Sequence, residues 1–303
     1  VSFRLGILIV FLISFTTISF SQSKINQFLT PSDTLNKPRR NGVIIAEVSL
    51  ASMALIGLNE LWYSDYERSK FHVINDNSAW QQLDKFGHAF TSYQLGKHGA
   101  QVLRWSGVRK KDQLIYGATL GFTFLTAVEI LDGFSQEWGF SWGDVLANAA
   151  GSGLYIGQEL LWNEQRIALK YSFHQTQYAQ LEPEKLGGSL IEQTLKDYNG
   201  QTYWLSFNLK SFFKKSKLPE WLNVAFGYGA EGMLSESYIS DNQSVKLESP
   251  YRQYYLSLDV NLNGIKTNSR VLGTVFDIFD MIKIPLPTVE FSKKGTAFHL
   301  FYN

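Results

Sequence analysis

The sequence predicts an α+β protein: an N-terminal four-helix unit packed against a C-terminal antiparallel strand-rich half, the latter a partial or small outer-membrane-type β-barrel. Three observations predict it. Apolar residues keep helical spacing up to Trp162 and alternate strictly after it. Several alternating stretches have the length of roughly 9–11 residues that a bilayer-crossing strand needs. The chain also opens on a segment patterned for export.

That opening segment, residues 1–21, reads as a secretory signal peptide. Arg4 is its charged region, Leu5 to Phe20 its apolar stretch, and Ser19 and Ser21 are the small residues preceding a cut at Gln22. Residues 22–40 read as a polar tether ending in Lys37-Pro38-Arg39-Arg40. Four helices are expected within 41–163, at 41–63, 78–105, 112–134 and 142–162, each bounded by start or stop residues. Ser141 followed by Asp144 has the pattern of a capping box. Gly117 with Gly121, and Ala147 with Gly151, are small residues at intervals that let helices approach closely.

Residues 164–303 form the strand-rich half. In 166–173, Ile167, Leu169, Tyr171 and Phe173 alternate with polar or small neighbours. The same period runs through 203–210, 222–229 and 254–262, with shorter strands around 288–291 and 296–302. Between them, 182–199 reads as a short helix and turn, 236–250 as a long polar loop and 276–284 as a short amphipathic helix. Six strands fall short of the eight that small membrane barrels use.

Composition narrows the function. Mean hydropathy of −0.12 excludes a chain made mostly of membrane helices. The absence of cysteine removes disulfides, thiolate metal sites, cysteine catalysis and attachment of lipid to an N-terminal cysteine. The 28 basic residues barely exceed the 27 acidic ones, and loss of Arg4 with the signal removes that excess, so nucleic acid is not an expected partner. The predicted location is outside the cytoplasm, in the outer membrane or the periplasm, with the outer membrane and envelope proteins as partners. Four spans across the inner membrane would place Lys37–Arg40 and Arg109–Lys111 outside, against the positive-inside bias.

Polar residues within the apolar helices form the candidate pocket: Asp84, Lys85, His88, Glu129, Asp132, Gln136, Asp144 and Asn148. Asp84 and His88 are four apart, Glu129, Asp132 and Gln136 follow a three-then-four spacing, and Asp144 and Asn148 are again four apart. Each set therefore shares one helix face. Glu129 follows the apolar run 122–128, where a carboxylate needs a partner or a proton. Read structurally, Asp144 is a capping residue, Asn148 a buried amide and His88 a hydrogen-bonded core histidine. Read catalytically, His88 oriented by Asp84 is a general base, with Glu129 or Asp144 as the acid. A divalent cation on His88 and the carboxylates is chemically possible, but no second histidine stands at ligand spacing, and no H-E-x-x-H, G-x-S-x-G or Gly-rich phosphate loop occurs, so neither a metal nor a cofactor is expected. The leading expectation is a non-enzymatic structural or assembly component of the envelope. The alternative is an envelope enzyme acting on a lipid or cell-wall headgroup through the His/carboxylate pocket.

The ordered set Asp84-Lys85-x-x-His88, Glu129, Gln136 and Ser141-x-x-Asp144-x-x-x-Asn148-x-x-Gly151 resembles the YfiM-like group of bacterial envelope proteins. More distantly it resembles the VanZ-like membrane proteins. The likeness covers about 80–157, and the strand-rich extension looks like the long form found in Bacteroidetes-type bacteria. It implies a helical envelope domain with no established reaction. YfiM-like proteins are described as lipoproteins, an attribute that a chain without cysteine cannot carry.

Overall fold

A computed structural model describes residues 24–60, 66–235 and 249–302. The signal segment and most of the loop expected at 236–250 lie outside the described residues.

The helical half begins with α1 (Lys37–Leu58), capped by Asn36, whose side chain accepts a hydrogen bond from the Arg39 amide. Helix α2 (Leu83–Trp105) follows, then α3 (Lys110–Asp132) and α4 (Trp142–Leu161). The packed unit is α2, α3 and α4, three helices rather than the expected four. Only Val43 of α1 is buried, while Ile44, Ile45, Val48, Leu50, Met53 and Ile56 face outward. An apolar helix of this kind, with no polar side, gains nothing by standing in water. The stretches 37–58 and 110–132 are both long and apolar enough to cross a bilayer, with 6% and 28% of their apolar windows buried. The base of α1 is pinned by the preceding segment, where Trp105 Nε1 donates to Phe28 O at 2.6 Å and the Arg39 guanidinium lies 4.4 Å over the Trp105 ring.

Glycines set the helix crossings. A Cβ on Gly121 would lie 2.3 Å from Ser92 O, and one on Gly151 2.1 Å from Ala89 O. Both α3 and α4 therefore press their backbones onto α2. Where α3 meets Gly99 and Ala100 it widens into a π-turn over Gln113–Gly117.

Helix α2 starts at Leu83, five residues later than the pattern suggests. Trp80, Gln81 and Gln82 all adopt positive φ (48°, 53° and 67°), a run that is costly for residues with side chains. Distant residues hold it in place: Tyr228 donates to Gln81 O, Arg252 donates to the Gln82 side chain at 2.7 Å, and Trp80 packs on Tyr198. Two short strands, β1 (Val73–Ile74) ahead of α2 and β2 (Phe140–Ser141) immediately ahead of α4, pair in parallel and bring the starts of α2 and α4 together.

The C-terminal half is one antiparallel sheet of β3 (Ile167–Phe173), β4 (Gln201–Asn208), β5 (Leu222–Glu231), β6 (Tyr251–Val260), β7 (Leu286–Ser292) and β8 (Gly295–Tyr302), ordered as in the chain. Helix α5 (Leu190–Lys196) lies between β3 and β4, and α6 (Arg270–Phe279) between β6 and β7. All six expected strands are present, but among the described residues they do not close a barrel. The free edge of β3 is taken by the 281–283 segment, with Tyr171 N donating to Met281 O and Lys283 N to Tyr171 O, both at 2.9 Å. That contact occupies the place a closing strand would need.

One sheet face is apolar and the other polar, and the polar one is buried. Lys170, Ser206, Asp259 and Thr288 are fully enclosed, with Trp204, Tyr255 and Tyr302 stacked among them. Lys170 Nζ reaches Asp259 at 3.0 Å, Asp280 at 3.2 Å and Val260 O at 2.7 Å. On the apolar face, Tyr171, Tyr203 and Tyr228 pack against Phe86 and Phe90 of α2. Farther along that face Phe226, Leu256, Leu258, Phe291, Phe298 and Leu300 stay exposed.

Candidate functional site

The three packed helices bring their polar stripes together at the N-terminal ends of α2 and α4. Lys85, in the first turn of α2, forms ion pairs with Asp76 (2.8 Å), Asp84 (3.0 Å) and Asp144 (2.8 Å). One turn on, His88 Nδ1 lies 3.1 Å from the Asn148 side-chain oxygen on α4. Its Nε2 faces three carboxylate oxygens at nearly equal range: Asp84 Oδ1 at 3.8 Å, Glu129 Oε1 at 3.7 Å and Asp144 Oδ1 at 3.7 Å. Those separations are too long for hydrogen bonds.

Local sequence explains how the carboxylates get there. Ser141 caps α4 by accepting from the Asp144 amide at 3.2 Å, as expected, but the reciprocal half of the capping box is reassigned. The Ser141 amide goes to Glu129 Oε2 at 3.1 Å, and the Ser141 hydroxyl donates to Asp76 Oδ1 at 2.6 Å. Asp144 is thereby free to face Lys85 and His88. Glu129 shares an inward helix face with Gly121 and Leu125.

The cluster is enclosed, and its electrostatics follow. Glu129 is 2% exposed and Asp144 3%, with Asn148 wholly buried. Burial, reinforced by the neighbouring Asp144, pushes the Glu129 carboxyl up to about 8. Asp144 is pushed up to about 7 by burial and then by Asp84, which together outweigh Lys85. Burial opposes charge on His88, yet Asp84, Asp144 and Glu129 hold its pKa above the ordinary histidine range. Asp84 is lowered, because His88 and Lys85 overcome its desolvation. Two carboxyls poised near neutrality beside an imidazole can hold and pass a proton, or share a cation.

Six of the eight expected residues thus meet: Asp84, Lys85, His88, Glu129, Asp144 and Asn148. Asp132 lies at the end of α3 and reaches the cluster through the charge it adds to Glu129's surroundings. Gln136 lies in the following loop, its amide bonded to Glu67 O at 3.0 Å. Two partners carry no signal in the sequence. Asp76 sits in a loop ahead of α2, and Tyr198, whose hydroxyl donates to Asp84 Oδ1 at 2.9 Å, comes from the strand-rich half 114 residues away.

His88 and Asp84 front a cavity of about 280 Å³, walled by Phe90, Leu125, Leu195 and Tyr198. Glu129 and Asp144 stand behind His88. A larger cleft of about 610 Å³ separates the helices from the sheet. Its polar side chains largely bond one another, as in Lys97 with Asp277 (3.2 Å) and Gln165 with Glu159 (2.9 Å), so it reads as a polar seam.

Fold and site together describe a helical domain with an enclosed His/carboxylate cluster and a strand-rich extension. Residues 72–157, which hold β1, α2, α3, most of α4 and every expected site residue, match a family described as a predicted periplasmic lipoprotein (DUF2279). The protein is exported, to the periplasm or the outer membrane. The 303 residues contain no cysteine to which the lipid named in that description could be attached. No curated protein and no solved structure matches the chain.

Proposed function

We propose that the protein is a non-enzymatic, membrane-seated component of the envelope that holds its helical half against the outer membrane. The observation that carries this reading is the inverted sheet. Leu205, Phe226, Leu256, Val289 and Phe298 are register partners across five strands and form one apolar row, while the opposite face buries lysines and acids. Strands about 4.8 Å apart make that row roughly 19 Å wide, far beyond the scattered apolar residues of an ordinary surface. Apolar-out and polar-in is the arrangement of proteins whose outer surface meets lipid. Among the described residues no strand pairs with the outer edge of β8, and hydrocarbon would not tolerate such an edge, so in this reading the sheet rests in the interface rather than crossing it. The outward side of α1 adds a second apolar surface for lipid or an envelope partner. The match over 72–157 covers the residues that carry the YfiM-like resemblance and supports an envelope domain there, with the YfiM-like assignment itself part of this proposal.

Fractionation tests the seat. The mature protein should travel with outer membranes, resist carbonate extraction, and bind phospholipid vesicles less after Phe226→Glu with Leu256→Glu. Recovery of the unaltered protein in the soluble periplasmic fraction would overturn the reading.

The open cavity at His88 favours a second reading, an enzyme acting on a lipid or cell-wall headgroup. A polar end beside the apolar Phe90, Leu125 and Leu195 suits an amphiphile. Turnover of an envelope lipid that is lost in His88→Gln would support it, and equal turnover in that variant would remove it.

A further inference from the structure

We propose that Asp84, His88 and Asp144, with Glu129 as fourth donor, form a binding site for one divalent transition-metal cation such as zinc or manganese. Asp84, His88 and Asp144 each offer a ligand atom within 4.8 Å of the others. The site is independent of the membrane seat.

Three observations carry it. First, His88 Nδ1 lies 3.1 Å from the Asn148 oxygen, an acceptor, which leaves Nε2 as the ring's ligand atom once a metal displaces any proton there. Nε2 faces three carboxylate oxygens at 3.7–3.8 Å and hydrogen-bonds none of them. A metal-ligating histidine is oriented in this way, by an oxygen on its other nitrogen. Metal–ligand bonds of about 2.0–2.2 Å separate neighbouring donors in a tetrahedral shell by roughly 3.3–3.6 Å. The three distances from His88 Nε2 to the carboxylate oxygens stand a few tenths of an ångström from that spacing.

Second, Asp144 Oδ1 is buried and accepts no hydrogen bond. Lys85 Nζ lies 2.8 Å from it, but the ammonium is aligned with Oδ2, at 2.9 Å. Asp84 divides its oxygens similarly, Oδ2 to Lys85 and Oδ1 toward His88. Both aspartates thus hold the lysine while presenting Oδ1 to the histidine, Asp84 Oδ1 also accepting from Tyr198.

Third, the charges do not balance. Asp76, Asp84 and Asp144 pair with Lys85 and Glu129 faces His88, four carboxyls around one lysine and one imidazole, and an enclosed excess of negative charge is costly unless a cation or protons offset it. One imidazole nitrogen with carboxylate oxygens is a mixed donor set suited to zinc or manganese more than to magnesium or calcium.

Equilibrium dialysis of the full chain, stripped with chelator and returned to zinc or manganese chloride, tests the site. One equivalent should be retained, and affinity should fall at least tenfold in His88→Gln and in Asp144→Asn. His299→Gln, remote from the site and bonded to Glu290, should bind as the unaltered protein does. Far-UV circular dichroism establishes that each variant is folded. Should the variants unfold, the unaltered chain decides: its melting temperature should rise with each tenfold increase in added metal, as for a ligand that binds only the folded state. Absence of stoichiometric metal, unchanged affinity in a folded His88→Gln, or a melting temperature indifferent to metal would each sink the proposal.

Discussion

Lys85 Nζ stands 2.8 Å from Asp144 Oδ1, tying the first turn of α2 to the first turn of α4 across 59 residues of chain. Both side chains are nearly enclosed, 13% and 5% exposed, so the pair is a buried ion pair in a shared network. Removing one member of such a pair typically costs about 3–5 kcal/mol, because the other charge stays buried without a partner. Lys85→Met should therefore destabilise the protein by about that amount in urea denaturation. Combined with Asp144→Asn the loss should be clearly less than the sum of the two single losses.

The inner face of the sheet makes a parallel prediction. Lys170 and Asp259 are both wholly enclosed and 3.0 Å apart. Lys170→Met alone should again cost about 3–5 kcal/mol, whereas Lys170→Met with Asp259→Leu should recover part of it, as buried pairs replaced by apolar residues do. If the double variant is the less stable of the two, the interior is organised by that charge pair more than by packing.

Lys283 gives the pH dependence. It is 1% exposed, donates to Ile284 O at 2.7 Å and lies 5.0 Å over the Trp204 ring. Burial, with Lys170 adding to it against Asp259, lowers its pKa to about 8. Between about 8 and the ordinary lysine value of about 10.4, the unfolded chain holds a proton that the folded one has released. Stability therefore rises with pH across that window, by up to about 1.4 kcal/mol per unit, and this contribution is lost as pH falls through 8. Subtracting the profile of Lys283→Met from that of the unaltered protein should isolate a positive slope over pH 8–9.5. A flat difference would contradict it.

Two glycines of α4 should respond in opposite ways. A Cβ on Gly151 would meet the Ala89 carbonyl at 2.1 Å, whereas one on Gly153 would meet nothing within 4 Å. Gly151→Ala should cost about 1–3 kcal/mol through overpacking. Gly153→Ala should be neutral or stabilising by up to about 1 kcal/mol, since alanine is the better helix former. Thermal melts of the two variants read the contrast directly.

Most of the site was legible because helical spacing is a local property. Asp84 with His88, and Asp144 with Asn148, each lie on one face whatever surrounds them, and an isolated carboxylate after the apolar run 122–128 announces that it needs a partner. Asp76 and Tyr198 were not legible, since a loop residue and a residue from the other half acquire their meaning only by proximity. The left-handed run at Trp80–Gln82 was hidden for the same reason: Tyr228 and Arg252 stabilise what the local sequence would avoid.

The sequence by itself determined the period switch at Trp162, the long helical stretches before it and the six strands after it, because those depend on which residues repeat at 3.6 and at 2 along a few turns of chain. Tertiary structure alone decided that α1 stands apart, that Met281–Lys283 occupies the edge of β3 and leaves the sheet open, and that three carboxylates face one imidazole nitrogen. Hydrophobic patterning states which face must leave water. It does not state what covers that face, since burial against a helix, a second strand or lipid satisfies the same pattern.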